Sequence, residues 1–287
     1  PSLVPREHLM AAVAANSIVF NLARFIGPAA AGLAIVSGGV ALAFALNAVS
    51  FGFFLLALSR IRLQPAEARM TRRNLFADLA DGFRYAAGHA GIAPVLLLLI
   101  VTSIGVRPVI ELMAGFAASV FAAGAPGLAM LSSAIGIGAV VGGVWLAGRA
   151  EPEGLTRIVL RATLGLVVTT LLFTTTDALW LGVAAMLMLG FAMVCAGVGT
   201  QTLIQLAVDS AMRGRVLSLY GLIFRGAPAI GALMMGVASE AVGLRWPLAA
   251  GALAVLAAWA WARAREAHIV RALEAAPPEP REAAAPS

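Results

Sequence analysis

The sequence predicts an all-α, polytopic membrane bundle with eight transmembrane helices in this chain. Three observations predict it. The composition is 61% hydrophobic and only 12% charged, with a mean hydropathy of +0.94, whereas soluble domains carry about 25% charged residues. Eight apolar stretches approach or exceed the roughly 20 residues needed to cross about 30 Å of hydrocarbon. All 20 basic residues are Arg, and they fall almost entirely into every second polar segment between those stretches. Alternation of that kind records repeated crossings and gives the orientation, because basic loops stay cytoplasmic.

The predicted spans are 11–36, 40–58, 92–113, 128–147, 158–176, 179–204, 216–238 and 246–262. The first is no cleavable signal peptide, since it lacks a charged n-region before a short apolar core and carries Asn16, Asn21 and Arg24 inside. Ser37-Gly38-Gly39 follows with no basic residue. After the second span, Arg60 precedes the longest loop, 62–90, which Arg62, Arg69, Arg72, Arg73 and Arg84 fill. Asn74 or Thr71 there can cap an amphipathic surface helix with Leu75, Phe76, Leu79, Phe83 and Tyr85 on one side and Asp78, Asp81 and Arg84 on the other. A plain connector is the alternative. Gly124–Gly127 and the loop at Asp177 have no basic residue, and the last such loop has only Arg245. Arg149 and Arg157 mark one basic segment, with Arg161 close enough to snorkel to it. Arg213 and Arg215 mark another. Arg263, Arg265, Arg271 and Arg281 lie in the tail, whose Pro277-Pro278-Glu279-Pro280 end predicts disorder. With eight spans, both ends of this chain are expected in the cytoplasm of a bacterial-type inner membrane.

Several function classes are excluded. The pI near 11.1 does not point to nucleic acid, because the Arg sit at segment ends rather than on one face. His8, His89 and His268 lie at cytoplasmic ends, Cys195 is a lone residue inside a span, and no cluster suits a metal. There is no phosphate-binding Gly-x4-Gly-Lys-Ser/Thr loop, so no ATPase domain and no cofactor is expected. An integral-membrane enzyme acting on lipid would need a nucleophile–base pair that is absent here.

A weak repeat joins the first and seventh spans. Asn21-Leu22-Ala23-Arg24-Phe25-Ile26-Gly27-Pro28 and Ile223-Phe224-Arg225-Gly226-Ala227-Pro228 each set one intramembrane Arg a turn before a small-residue–Pro step. Six spans separate them, so both cross in the same direction, as in transporters built from two parallel six-helix halves. These residues resemble the major facilitator superfamily, in the branch that holds drug and enterobactin exporters. Leu3-Val4-Pro5-Arg6-Glu7, Ala14-Ala15-Asn16-Ser17 and the run to Gly27-Pro28 resemble its entry into helix five. Arg107-Pro108-Val109-Ile110-Glu111-Leu112 resembles the exit of helix seven, and Arg213-Gly214-Arg215-Val216 the loop into helix eleven. The acidic-basic signature between helices eight and nine is degraded to Gly143…Gly148-Arg149, without its Asp.

The resemblance implies helices five to twelve of a twelve-helix fold, with four N-terminal helices expected outside this chain. Residues 1–61 would close the N-terminal half, 62–90 would link the halves, 91–262 would form the C-terminal half and 263–287 the tail. Ala23-x3-Gly27-Pro28-x2-Ala31-Gly32 resembles the helix-five motif of proton-coupled antiporters, with Ala for two glycines, which implies export. Small residues there let helices approach, and Pro frees a carbonyl.

Candidate pathway residues follow from the cost of polarity in hydrocarbon. Arg225 lies nine residues into its span, about 14 Å deep, where a central Arg costs from ~2.5 to more than 10 kcal/mol unless it meets water or a partner. Arg24 is its repeat counterpart. Arg107 and Glu111 are four apart and predict an ion pair on one helical face, with Glu111 the default proton carrier. Gln201 and Gln205 share a face, and Asn16 and Asn47 sit on neighbouring spans. Interhelical hydrogen bonds compete with substrate contact as the role of these amides. The expected function is a secondary transporter working by alternating access. It would exchange a small amphipathic or anionic compound for protons, with membrane lipid as its solvent and no nucleic-acid partner. An importer of the same superfamily and a non-catalytic subunit of a larger transport complex stay open as alternatives.

Overall fold

The computed structural model describes residues 34, 37–38, 41–60, 75–148, 154–209 and 212–274. Among them every regular element is helical. Seven helices among the described residues are long and apolar enough to cross a membrane, and each overlaps one predicted span. The predicted first span, 11–36, lies almost wholly outside the described residues. The chain divides into two compact units, Pro1–Arg73 and Asn74–Ser287. In the first unit, helix α1 (Ala41–Arg60) carries exposed Phe44, Phe51, Phe53 and Phe54. An aromatic and aliphatic exterior of this kind suits hydrocarbon and not water.

The second unit contains α2 (Leu75–Gly88), α3 (Ile92–Gly105), α4 (Val109–Gly115), α5 (Gly124–Ala147), α6 (Leu155–Thr175), α7 (Leu179–Ala207), α8 (Arg213–Val242), α9 (Arg245–Ala264) and α10 (Glu266–Glu274). The helix ends have local causes. His89 Nδ1 accepts the backbone N–H groups of Gly91 and Ile92, both at 3.2 Å, so two donors at the start of α3 are satisfied. Pro94 sits in the first turn of α3, where its missing N–H costs nothing. Gly243 ends α8 at φ +79°, a conformation that a side chain would strain. A π-helical turn, Phe116–Val120, extends α4. The third predicted span therefore reaches Val120 and not residue 113. Arg157, Arg213 and Arg215, read as loop residues, lie inside the first turns of α6 and α8, because Arg stems can stay helical while the guanidinium reaches the interface.

Packing depends on glycine where backbones meet. A Cβ at Gly138 or Gly190 would collide with the carbonyls of Leu187 and Ile135 across the α5–α7 contact, and one at Gly105 would lie 2.6 Å from the Gly251 carbonyl across α3–α9. Without a solvent-driven hydrophobic force between helices in lipid, such close approach supplies the van der Waals attraction. Around these contacts lie two cores. One holds Ile92, Leu96, Leu203, Ile204 and Val216; the other holds Met113, Phe116, Leu131, Phe173, Met186 and Leu248, with the Phe116 and Phe173 rings 4.7 Å apart.

Two elements correct the sequence reading. Helix α2 exists, but it docks through residues of both expected sides, Tyr85 packing against the core while Asp78 turns to α8. Gly82 and Ala86 are buried, Phe83 is 57% exposed, and Asp78 accepts Arg215 Nε of α8 at 2.8 Å. The cause is a charge partner 137 residues away, which outweighs the local apolar pattern. The tail also starts with an ordered helix. Ile269 and Leu273 of α10 are 2% and 4% exposed, and Glu274 takes the backbone N–H groups of Gly154 and Thr156 at 2.9 and 2.8 Å. The Pro277–Pro280 stretch lies outside the described residues.

Candidate functional site

Arg225 stands twelve residues into the 30-residue α8, about 18 Å along its axis. It is exposed from the second unit, on a side shared with exposed Leu222 and Leu233. No hydrogen bond or ion pair holds it to another described residue. One turn on, Pro228 lies inside the helix. Having no N–H, Pro228 leaves the Phe224 carbonyl without its helical donor. A lone cation thus projects from an apolar helix side in mid-span, the arrangement that hydrocarbon alone penalises most.

Arg107 takes a different course. The helix is interrupted at Val106–Pro108, where the N–H groups of Val106 and Arg107 both reach the Thr102 carbonyl. That interruption breaks the i, i+4 geometry on which the predicted Arg107–Glu111 pair relied. Arg107 turns inward with its guanidinium carbon 3.8 Å from the centre of the Phe224 ring, a cation–π contact. Glu111 is exposed on α4 and enters no ion pair with a described residue. The predicted pair is therefore not formed.

The inward Arg107 borders a small cavity of about 30 Å3, lined also by Thr102, Ser103, Thr163, Thr200 and Phe224 among others. Thr163 returns its hydroxyl to the Val159 carbonyl at 2.8 Å, while the buried Ser103 Oγ has no hydrogen-bond partner among the described residues. Phe224 is held in turn by Tyr220, whose ring lies 5.5 Å away and whose hydroxyl donates to the Gly197 carbonyl at 3.0 Å. The cavity has the size and polarity for an ordered water. The sequence reading singled out none of these hydroxyl residues, since Ser and Thr in spans ordinarily back-bond to their own helix, as Thr163 does. Their one sequence signal is convergence of hydroxyls near a mid-span Arg.

The remaining candidates are separate. Gln201 is half-buried and its predicted facemate Gln205 exposed on α7. Asn47 is exposed on α1, where its carbonyl accepts the Ser50 hydroxyl at 2.7 Å. Asn16, Arg24 and the helix-five motif residues Ala23, Gly27, Pro28, Ala31 and Gly32 lie outside the described residues. Among the described residues no group of His, Cys, Asp and Glu could hold a metal ion, and Cys195 is a buried free thiol.

The structure thus places polar groups within a set of membrane-length helices, and known proteins are similar to the chain in sequence. The enterobactin exporter EntS of Escherichia coli O1:K1 is 27% identical over 238 residues, covering 82% of this chain and 56% of that protein. EntS of Escherichia coli O139:H28 and of Shigella boydii serotype 18 are each 29% identical over 241 residues, with the same coverage. The chain thus spans about half the length of these curated relatives. No solved structure matches it significantly. The family model described as transmembrane secretion effector matches residues 1–284. With seven membrane-length apolar helices and that match across nearly its whole length, the chain belongs to the transmembrane secretion effector family of major facilitator transporters.

Proposed function

We propose that the protein is a proton-coupled exporter of the inner membrane, moving a small amphipathic or anionic compound of drug or siderophore type by alternating access. The observation that carries this reading is Arg225, a guanidinium exposed in the middle of a membrane-length helix with no ion-pair partner among the described residues. In hydrocarbon it would be too costly, so it faces a water-filled pathway and attracts a negative group there. Pro228 leaves the Phe224 carbonyl without its helical donor one turn away, an arrangement of the kind tolerated where backbone lines a cavity. The repeat gives Arg24 the same task in the first span. Exposed Glu111 is the acid available to carry protons, and Gln201, Gln205, Asn16 and Asn47 add hydrogen-bonding groups along the route. The enterobactin exporters among its relatives support an anionic siderophore as the first compound to try. The Arg-bearing side, with both ends of this chain, would be cytoplasmic.

The test is accumulation of enterobactin inside everted vesicles that hold the intact protein, the equivalent of cellular export, driven by an imposed proton gradient. Arg225→Ala should cut the initial rate at least tenfold, and Glu111→Gln should uncouple flux from the gradient. Unchanged proton-driven accumulation in both variants would remove the site assignment. Flux that requires ATP and ignores the gradient would favour the subunit alternative, and gradient-driven release from preloaded everted vesicles would favour an importer.

A further inference from the structure

We infer that the Arg-bearing end of α6, α9 and α10 forms a binding site for the phosphate headgroup of an anionic phospholipid. Two adjoining cavities of about 270 and 420 Å3 open there. Both are lined by Arg157, Arg263 and Glu266; Arg161 lines the first and Arg271 the second. Four guanidiniums against one carboxylate leave a net charge of +3 at neutral pH. Glu266 is already engaged, bound to Arg157 Nε at 3.1 Å and to Arg263 at 2.6 Å. It holds those two side chains apart as the walls of the site, and its own side chain is only 15% exposed. Arg161 has no ion-pair partner among the described residues, and Arg271 donates only to the Ala267 carbonyl of its own helix. Two exposed cations therefore remain free to take a phosphate.

The floor identifies the source of that phosphate. Leu160, Leu164 and Trp259 line the inner cavity, and the Trp259 indole is fixed by its bond to the Leu160 carbonyl at 2.8 Å. Farther along α6, Val168 and Leu172 are exposed. A soluble anion has no use for this apolar continuation, whereas a phospholipid places its phosphate among the Arg and its chains along α6. Span parity puts the start of α6 and the end of α9 on one side of the membrane, and α10 packs against α6 there. Basic pockets between helices at that level bind lipid headgroups. The α6 N-terminus takes no part, because Glu274 already occupies its first N–H groups.

Native mass spectrometry of the intact detergent-purified protein tests the site, titrating dioleoyl phosphatidylglycerol against dioleoyl phosphatidylcholine. The expected result is preferential retention of one phosphatidylglycerol. Arg161→Gln combined with Arg271→Gln should weaken it about fivefold per guanidinium removed, roughly 25-fold in all. The Lys double variant should retain it, and Arg84→Gln, an exposed charge on α2, should leave it unchanged. Equal retention of the two lipids, or equal weakening by Arg84→Gln, would overturn the site in favour of diffuse attraction. Displacement of phosphatidylglycerol by millimolar inorganic phosphate would overturn the lipid assignment in favour of a soluble anion. None of these readouts depends on transport, so the lipid site and the exporter reading fail separately.

Discussion

The two ends of the second unit are held together very differently. At the Arg-bearing end, polar contacts join residues far apart in sequence: Arg215 to Asp78 and Asp81, Tyr85 to Asp209 at 2.9 Å, Glu274 to the start of α6, and Glu266 to Arg157. Burial and the neighbouring Asp209 carboxylate push the Tyr85 phenol above its ordinary range, although the Asp209 backbone N–H partly offsets them. At the other end, the ion pair between described residues is Arg245 with Asp177, beside a 3.4 Å contact from Arg245 to the Thr176 carbonyl. The contrast follows from where the charges are. Basic residues held on one side of a membrane can be answered there by acidic ones, and α2 and α10 supply Asp78, Asp81, Glu266 and Glu274. The unit is thus latched by charge at one end and closed mainly by apolar and glycine contacts elsewhere.

The largest expected effect removes the contrast by breaking the middle on which both ends depend. Gly190→Leu would drive a side chain into the Ile135 carbonyl, costing about 3 kcal/mol or more. Melting of the intact protein in detergent should show a broad loss of structure at both ends. Next comes Arg215→Ala, which removes a guanidinium bound to the largely buried Asp78 at a cost of about 2 kcal/mol. Hydrogen exchange should then rise in α2 first and leave α5 and α7 protected. Uniform loosening of the whole unit would contradict a local latch. Glu274→Ala removes two charge-assisted bonds to the start of α6 and should cost about 1 kcal/mol, read as faster exchange at Gly154 and Thr156 with the α8 start unchanged.

How much of this was legible depends on how local the cause is. Seven spans were readable because hydrocarbon thickness imposes a length that any apolar run must meet, and Cys195 read correctly as a buried small residue. Span ends were less legible, since Arg157 and Arg215 look like loop residues yet extend their helices. The docking of Asp78 was not legible because its partner, Arg215, is remote in sequence. In α10 only Ile269 and Leu273 announce the buried side, too few for a periodicity. The Arg107–Glu111 pair followed the helical rule, but the interruption before Pro108 turned the two residues apart. The hydroxyl cavity at Thr102, Ser103 and Thr200 has the weakest sequence signal, because no single Ser or Thr in a span is unusual.

The smallest effect is the sharpest check on the asymmetry. Arg245→Ala removes an ion pair whose Asp177 side chain is 81% exposed, and exposed pairs are worth between nothing and about 1 kcal/mol. A loss under about 0.5 kcal/mol is expected, and 0.5 M salt, which screens exposed charges, should mask it. The same salt should reduce the Arg215→Ala effect only in part, because Arg215 and Asp78 are each about three-quarters buried and screening weakens with burial. Equal losses and equal salt sensitivity at Arg245 and Arg215 would mean that both ends are held by exposed charge alone. A small, screened loss at Arg245 beside a larger, salt-resistant one at Arg215 would leave the Arg-bearing end as the one that charge holds shut.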